Sequence, residues 1–209
     1  MRGVTRASAL PVLRTLPWPT LAAAGGVGLL LAAVPRLTDG TPGTGPALSL
    51  LRCVALAGAL GLAFLLDDPA RHTTAAVPVR RLARQALRAA LAAPPVALWW
   101  VAAVLLVPAE IRPPVGDVTL EAAAVCLLTL AGAAAGVRLT DRARLGPGVA
   151  AGLLASAVLA PLLLPERWAL FVPVGDERWA AAHDRWALLL AAAVAAWGLY
   201  GAERVGRHR

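Results

Sequence analysis

Arginine offers most of the chemistry in this chain, and its most organised set follows an Asp67-Asp68-Pro69 turn. Arg80, Arg84 and Arg88 recur every fourth residue, with Arg81 beside them. At that spacing three guanidinium groups share one face of a helix starting at Pro78, opposite Val79, Leu82, Ala83, Ala86 and Leu87. A basic amphipathic helix of this kind either lies among anionic headgroups or docks into a cleft of a cytoplasmic partner. Arg52 differs, because it stands alone inside an apolar run. A charge at the bilayer centre costs about 2.5 to 3.5 kcal/mol on insertion scales, so Arg52 is expected either to snorkel to the outer headgroups or to line a pathway and meet an anionic cargo group. Trp99 and Trp100 lie in the middle of another apolar run and read as core packing or as a cavity wall.

The remaining polar groups suggest less. Glu110, Asp117 and Glu121 flank a Pro113-Pro114 turn and read as solvated loop acids, not as an acid/base pair. Trp179, His183 and Trp186 share a helical face, with Trp168 close in sequence; amphipathic rings prefer the membrane interface, so Trp168, Trp179 and Trp186 read as interface anchors. His72, His183 and His208 are mutually isolated, and Cys53 and Cys126 have no C-x-x-C spacing, so neither a metal nor a redox site is expected. Lys and Asn do not occur at all, which excludes a P-loop lysine and a Schiff-base lysine. No catalytic motif is present, so neither enzymatic activity nor a cofactor is expected, and any ATP hydrolysis must come from another chain.

Helices long enough to hold these residues in lipid are written into the composition. Of 209 residues 59% are apolar and 15% charged, with a mean hydropathy of +0.69, against about 25% charged in a soluble domain. Six runs approach the roughly 20 residues that a helix needs to cross about 30 Å of hydrocarbon: 17–34, 47–66, 89–107, 118–137, 146–164 and 186–202. Leu/Ala-rich runs without strict alternation favour helices over barrel strands, so the predicted fold is an all-α polytopic bundle forming a single transmembrane domain. Counting arginines on alternate sides of the six spans gives 14 on one side and five on the other. The positive-inside rule then places both termini in the cytoplasm. The net charge of +8 fits an anionic lipid leaflet better than nucleic acid, because the arginines fall between the apolar runs. Arg-Leu-Thr-Asp occurs at 36–39 and again at 138–141, on opposite faces of the predicted membrane; this reads either as a coincidence of a biased composition or as an inverted repeat of three plus three helices.

This layout resembles the small six-helix permease subunits of bacterial type-2 ATP-binding-cassette exporters. The likeness rests on an amphipathic start (Met1 to Leu16), the Asp67 to Arg88 connector between spans two and three, and the long outer connector from Glu166 to Arg185. It implies that Asp67, Asp68, Arg80, Arg81, Arg84 and Arg88 form the coupling element against a separate ATPase subunit, which would bind the ATP. It also implies a homodimer or pseudo-dimer in the cytoplasmic membrane, working by alternating access. Arg52, Trp99 and Trp100 are the candidate pathway residues, and an apolar bundle with one intramembrane Arg points to a small lipophilic or amphipathic cargo. A non-transporting multi-pass protein, acting as an assembly partner or sensor, is the alternative reading.

Overall fold

In the computed structural model of the chain the described residues are 13–37, 43–67, 81–140 and 144–202, without the side chains of Arg81 and Arg84. Six α-helices account for most of them: α1 (Trp18–Leu37), α2 (Thr44–Leu62), α3 (Arg81–Leu106), α4 (Val115–Leu139), α5 (Gly146–Leu163) and α6 (Trp179–Gly201). Short 3-10 turns at Ala109–Ile111 and Glu166–Trp168 occupy the connectors after α3 and α5, and no strand occurs among the described residues. Helix boundaries follow local chemistry. Pro113 and Pro114 disfavour a helix running back from Val115, and Asp117 in the first turn of α4 complements the partial positive charge there. Pro147 supplies the preset φ that suits a first helical turn at the start of α5.

Five helices, α1 to α5, are long and apolar enough to cross a membrane. α6 is also 23 residues long, but His183, Asp184 and Arg185 in its first two turns make it less apolar than the others. Leu30, Leu98, Leu162, Leu163, Leu188 and Leu199 face outward, each about 70% exposed. Leucines turned out all around a bundle, over a core largely of alanine, give the pattern of a multi-pass membrane protein. The predicted spans match these helices with two differences. The basic segment does not form a separate surface helix: from Arg81 it runs unbroken into the apolar span, as one helix of 26 residues containing Pro94 and Pro95. α6 starts at Trp179, about two turns before the expected 186, because the polar residues there have partners inside the protein.

The core is built from close helix approaches. α4 packs most extensively on α6 and α1 on α2, with α2 against α4 joining the two pairs. Ala122, Ala124, Ala131, Ala133 and Ala134 of α4 and Ala182 and Ala193 of α6 are buried, and side chains this small let helix backbones come together. On the other side Trp99 of α3 enters a hole floored by glycine: a Cβ on Gly28 would collide with its ring, and one on Gly58 would meet the ring at 2.7 Å. Its indole N–H donates to the Gly25 carbonyl at 2.8 Å. α5 is the outlier, since only Gly146 is buried and its main contact is with α4.

Arginines close several helix ends. Carbonyls in a last helical turn have no partner within the helix, and that end carries partial negative charge. Arg36 at the end of α1 donates to the Leu106 and Leu105 carbonyls at the end of α3 (2.6 and 3.1 Å). Arg138 at the end of α4 donates to the Leu199 carbonyl at the end of α6. These are the leading residues of the two Arg-Leu-Thr-Asp copies. Each caps the helix two places further along the chain.

Candidate functional site

α2, α4 and α6 each carry one polar side chain into the same space near the end of the bundle formed by residues 107–114 and 164–178. Arg52 lies two turns into α2, Glu121 less than two turns into α4, and His183 one turn into α6. Their neighbours explain the convergence. Leu48, Leu51 and Ala55 form the buried stripe of α2, Val118 and Ala122 flank Glu121, and Ala182 and Trp186 flank His183. Packing these apolar stripes together leaves Arg52, Glu121 and His183 nowhere to point except at one another.

The resulting contacts are short and directional. Arg52 Nε donates to Glu121 Oε2 at 2.7 Å, and Nη2 donates to Oε1 at 2.7 Å. This is the bidentate fork in which guanidinium and carboxylate planes match. His183 Nε2 lies 3.1 Å from Glu121 Oε1, and its Nδ1 lies 2.8 Å from the Trp179 carbonyl. Glu121 is 3% exposed and His183 7%. Arg52 also donates from Nη2 to the Val172 carbonyl at 3.2 Å, and its guanidinium carbon sits 5.4 Å from the centre of the Phe171 ring.

The connector after α5 is thereby drawn over the site. Arg185 donates to the Ala169 carbonyl at 2.8 Å, Trp186 Nε1 to the Leu170 carbonyl at 3.1 Å, and Phe171 meets Trp186 edge-on. Three of the four carbonyls from 169 to 172, those of 169, 170 and 172, together with the ring of 171, are thus held by α2 and α6. Further along, Asp176 accepts from the Arg178 backbone N–H at 2.8 Å and from its guanidinium at 3.0 and 2.9 Å. The side-chain bonds chiefly, with the backbone bond next, lower the Asp176 carboxyl from its ordinary 3.8 to about 2.

Beside this polar cluster lies a cavity of about 430 Å³, bounded by α2, α4, α5, α6 and the connector. Arg52 and Glu121 are its charged wall residues, and Cys53, Leu128, Leu153 and Ala157 are among its apolar ones. Ser49 and Ser156 also face it, but each donates its hydroxyl proton back to its own helix. A second hollow of about 270 Å³, between α2, α3 and α4, is lined by Trp99 and Trp100 and is almost wholly apolar.

Several expectations change in this geometry. Arg52 does not reach outward as a snorkelling arginine; its side chain is 17% exposed and ion-paired. Glu121 is no solvated loop acid, because α2 and α6 cover it, and Asp117 accepts a hydrogen bond from Trp179 Nε1 at 2.7 Å. Trp186, expected at the lipid interface, is 3% exposed and packs under the connector; Trp168 is 55% exposed, with Arg185 over its ring. Arg52 does not share a cavity with Trp99 and Trp100. Trp99 is a packing knob, and Trp100 donates to Thr119 Oγ1 at 3.0 Å.

At the opposite end, Asp67 Oδ1 accepts from the Leu145 and Gly146 backbone N–H groups at 2.8 and 2.9 Å, capping α5 from a neighbouring segment. Arg88 donates to the Leu65 and Asp67 carbonyls. Asp68 and Arg80 lie outside the described residues, as do the side chains of Arg81 and Arg84. No group of three or more metal-binding side chains occurs among the described residues. Comparison with protein-family models, with curated proteins and with solved structures finds no match to this chain.

Proposed function

We propose that this chain is the membrane-spanning subunit of an ATP-driven exporter, taking a small lipophilic or amphipathic compound into the cavity beside Arg52 and releasing it across a bacterial cytoplasmic membrane. The observation that carries the reading is the cavity itself. A volume of about 430 Å³ with apolar walls and a charged corner falls within the usual range for small-molecule sites. One of its walls, α5, is the least embedded helix of the bundle. A wall held by few contacts is the element that can move when the site changes its access.

The Asp67 junction supports the second half of the reading. The connector after Asp67 is where an ATPase would push, and the Asp67 carboxylate holds the first residues of α5. The other end of α5, from Leu153 to Pro161, lines the cavity. A displacement at the Asp67 end therefore has a direct mechanical route to the cavity wall. In this reading the bundle has six spans, both termini are cytoplasmic, α6 is the sixth span, and two copies pair with two ATPase chains. Catalysis resides in those chains.

Purification of the tagged chain in mild detergent tests the proposal. An ATPase should co-purify, and replacing Arg80, Arg81 and Arg84 together with Glu should release it. In cells, coupling a bulky thiol reagent to Cys53, an exposed residue in the cavity wall, should reduce efflux of a lipophilic dye. Failure to recover any ATPase, together with dye efflux unchanged by Cys53 modification, would instead make the chain a non-transporting partner or sensor.

A further inference from the structure

We infer that Glu121 and His183 together form a binding site for one proton, buried between α4 and α6 at the corner of the cavity. The argument is a count of donors. A backbone carbonyl can only accept, so the 2.8 Å contact between His183 Nδ1 and the Trp179 oxygen is a hydrogen bond only with the hydrogen on Nδ1. In a neutral imidazole Nε2 is then a bare lone pair. It faces Glu121 Oε1 at 3.1 Å, and an ionised carboxylate has only lone pairs to offer in return. Two acceptors at that distance repel. The contact is a hydrogen bond only when one further proton lies in it, either on His183 Nε2 or on Glu121 Oε1.

No other described donor is placed to bridge the two atoms. Arg52, facing from α2, already spends its Nε and Nη2 on the two carboxylate oxygens and the Val172 carbonyl. Asp117, one turn before Glu121 on α4, is engaged by Trp179 Nε1, and the Trp179 ring stacks against His183 with centroids 4.3 Å apart. From the connector the site meets the Phe171 ring and the Val172 carbonyl, and α5 brings only apolar and hydroxyl groups to the cavity. With the proton present the cluster of Arg52, Glu121 and His183 carries one net positive charge beside an apolar hollow. When the proton leaves, the charge falls to zero, and with the hydrogen kept on Nδ1 no hydrogen bond remains between His183 and Glu121. The inference concerns the chain whatever the cavity holds, so it stands or falls apart from the transport reading.

The experiment is nitrogen-15 spectroscopy of histidine-labelled full-length protein in lipid nanodiscs over a pH series, with infrared detection of protonated carboxyl. His183→Gln identifies the His183 resonances among the three histidines. The expected result at neutral pH is Nδ1 protonated in His183, accompanied by either a protonated Nε2 or a carboxylic-acid band. In Glu121→Gln the amide can donate to Nε2, so His183 should become a neutral Nδ1–H tautomer and any acid band should vanish. A wild-type His183 that is neutral with no acid band, or that carries its hydrogen on Nε2 with Nδ1 bare, overturns the inference. The wild-type spectra decide the matter even if Glu121→Gln fails to fold.

Discussion

Arg52 and Asp67 stand towards the two ends of the same helix hairpin and each tie it to neighbours, but through different chemistry. At the Arg52 end three side chains from three helices satisfy one another, and the contacts depend on how many protons the cluster holds. At the Asp67 end a single carboxylate meets two backbone N–H groups of α5, and Arg88 meets two backbone carbonyls. Backbone groups keep their donor and acceptor roles at every pH. The first junction therefore joins titratable side chains to one another and the second joins side chains to fixed backbone groups, and α5 is held at one end while its other end borders the Arg52 cluster.

The largest effect should come from unbalancing the cluster. Glu121→Ala leaves a buried guanidinium without its counter-ion and should lower stability by about 3 to 5 kcal/mol, measurable by denaturant unfolding in detergent. Replacing both Arg52 and Glu121 with Leu should be milder than Glu121→Ala alone, since no uncompensated charge remains. A double variant less stable than Glu121→Ala would mean that the ion pair is not the unit described. Next comes Gly146→Ala, whose added Cβ would overlap Phe64 and lie 2.8 Å from Asp67 Oδ2. A loss of about 1 to 3 kcal/mol is expected from such overpacking.

Asp67→Ala should cost about 1 kcal/mol, the usual effect of losing an N-cap, and should raise amide hydrogen exchange at the start of α5. Asp67→Asn keeps the accepting oxygen and should be nearly neutral, in contrast to Glu121→Gln. The smallest effect belongs to the connector. Asp176 is held below its ordinary value, so its contribution is present above about pH 4 and disappears as the pH falls through about 2. Amide exchange around Arg178 should accelerate over that interval, with α2 and α4 unchanged.

The helices were legible because each is a long apolar run, and runs of that length signal themselves without reference to any partner. α5 matched its sequence boundaries to one residue, since Pro147 and the polar flank fix them locally. What the sequence concealed was pairing. Glu121 lies 69 positions from Arg52 and 62 from His183, so only the matched depth of the three residues below their helix ends hinted at contact. Proximity to a Pro-Pro turn made Glu121 look solvated, and tertiary burial overrode that cue. Trp186 misled in the same way. A tryptophan near a helix start has the same sequence signature whether it faces headgroups or another segment of the chain. The glycines that seat the Trp99 ring, Gly28 and Gly58, lie on different helices.

Trp99 in its glycine-floored hole has a bearing on how the chain is made. The glycines that receive the ring, Gly25, Gly28 and Gly58, all precede it in the sequence. By the time α3 leaves the ribosome its socket has already been synthesised, and the first three helices can lock as a finished wedge while α4 to α6 are still to come.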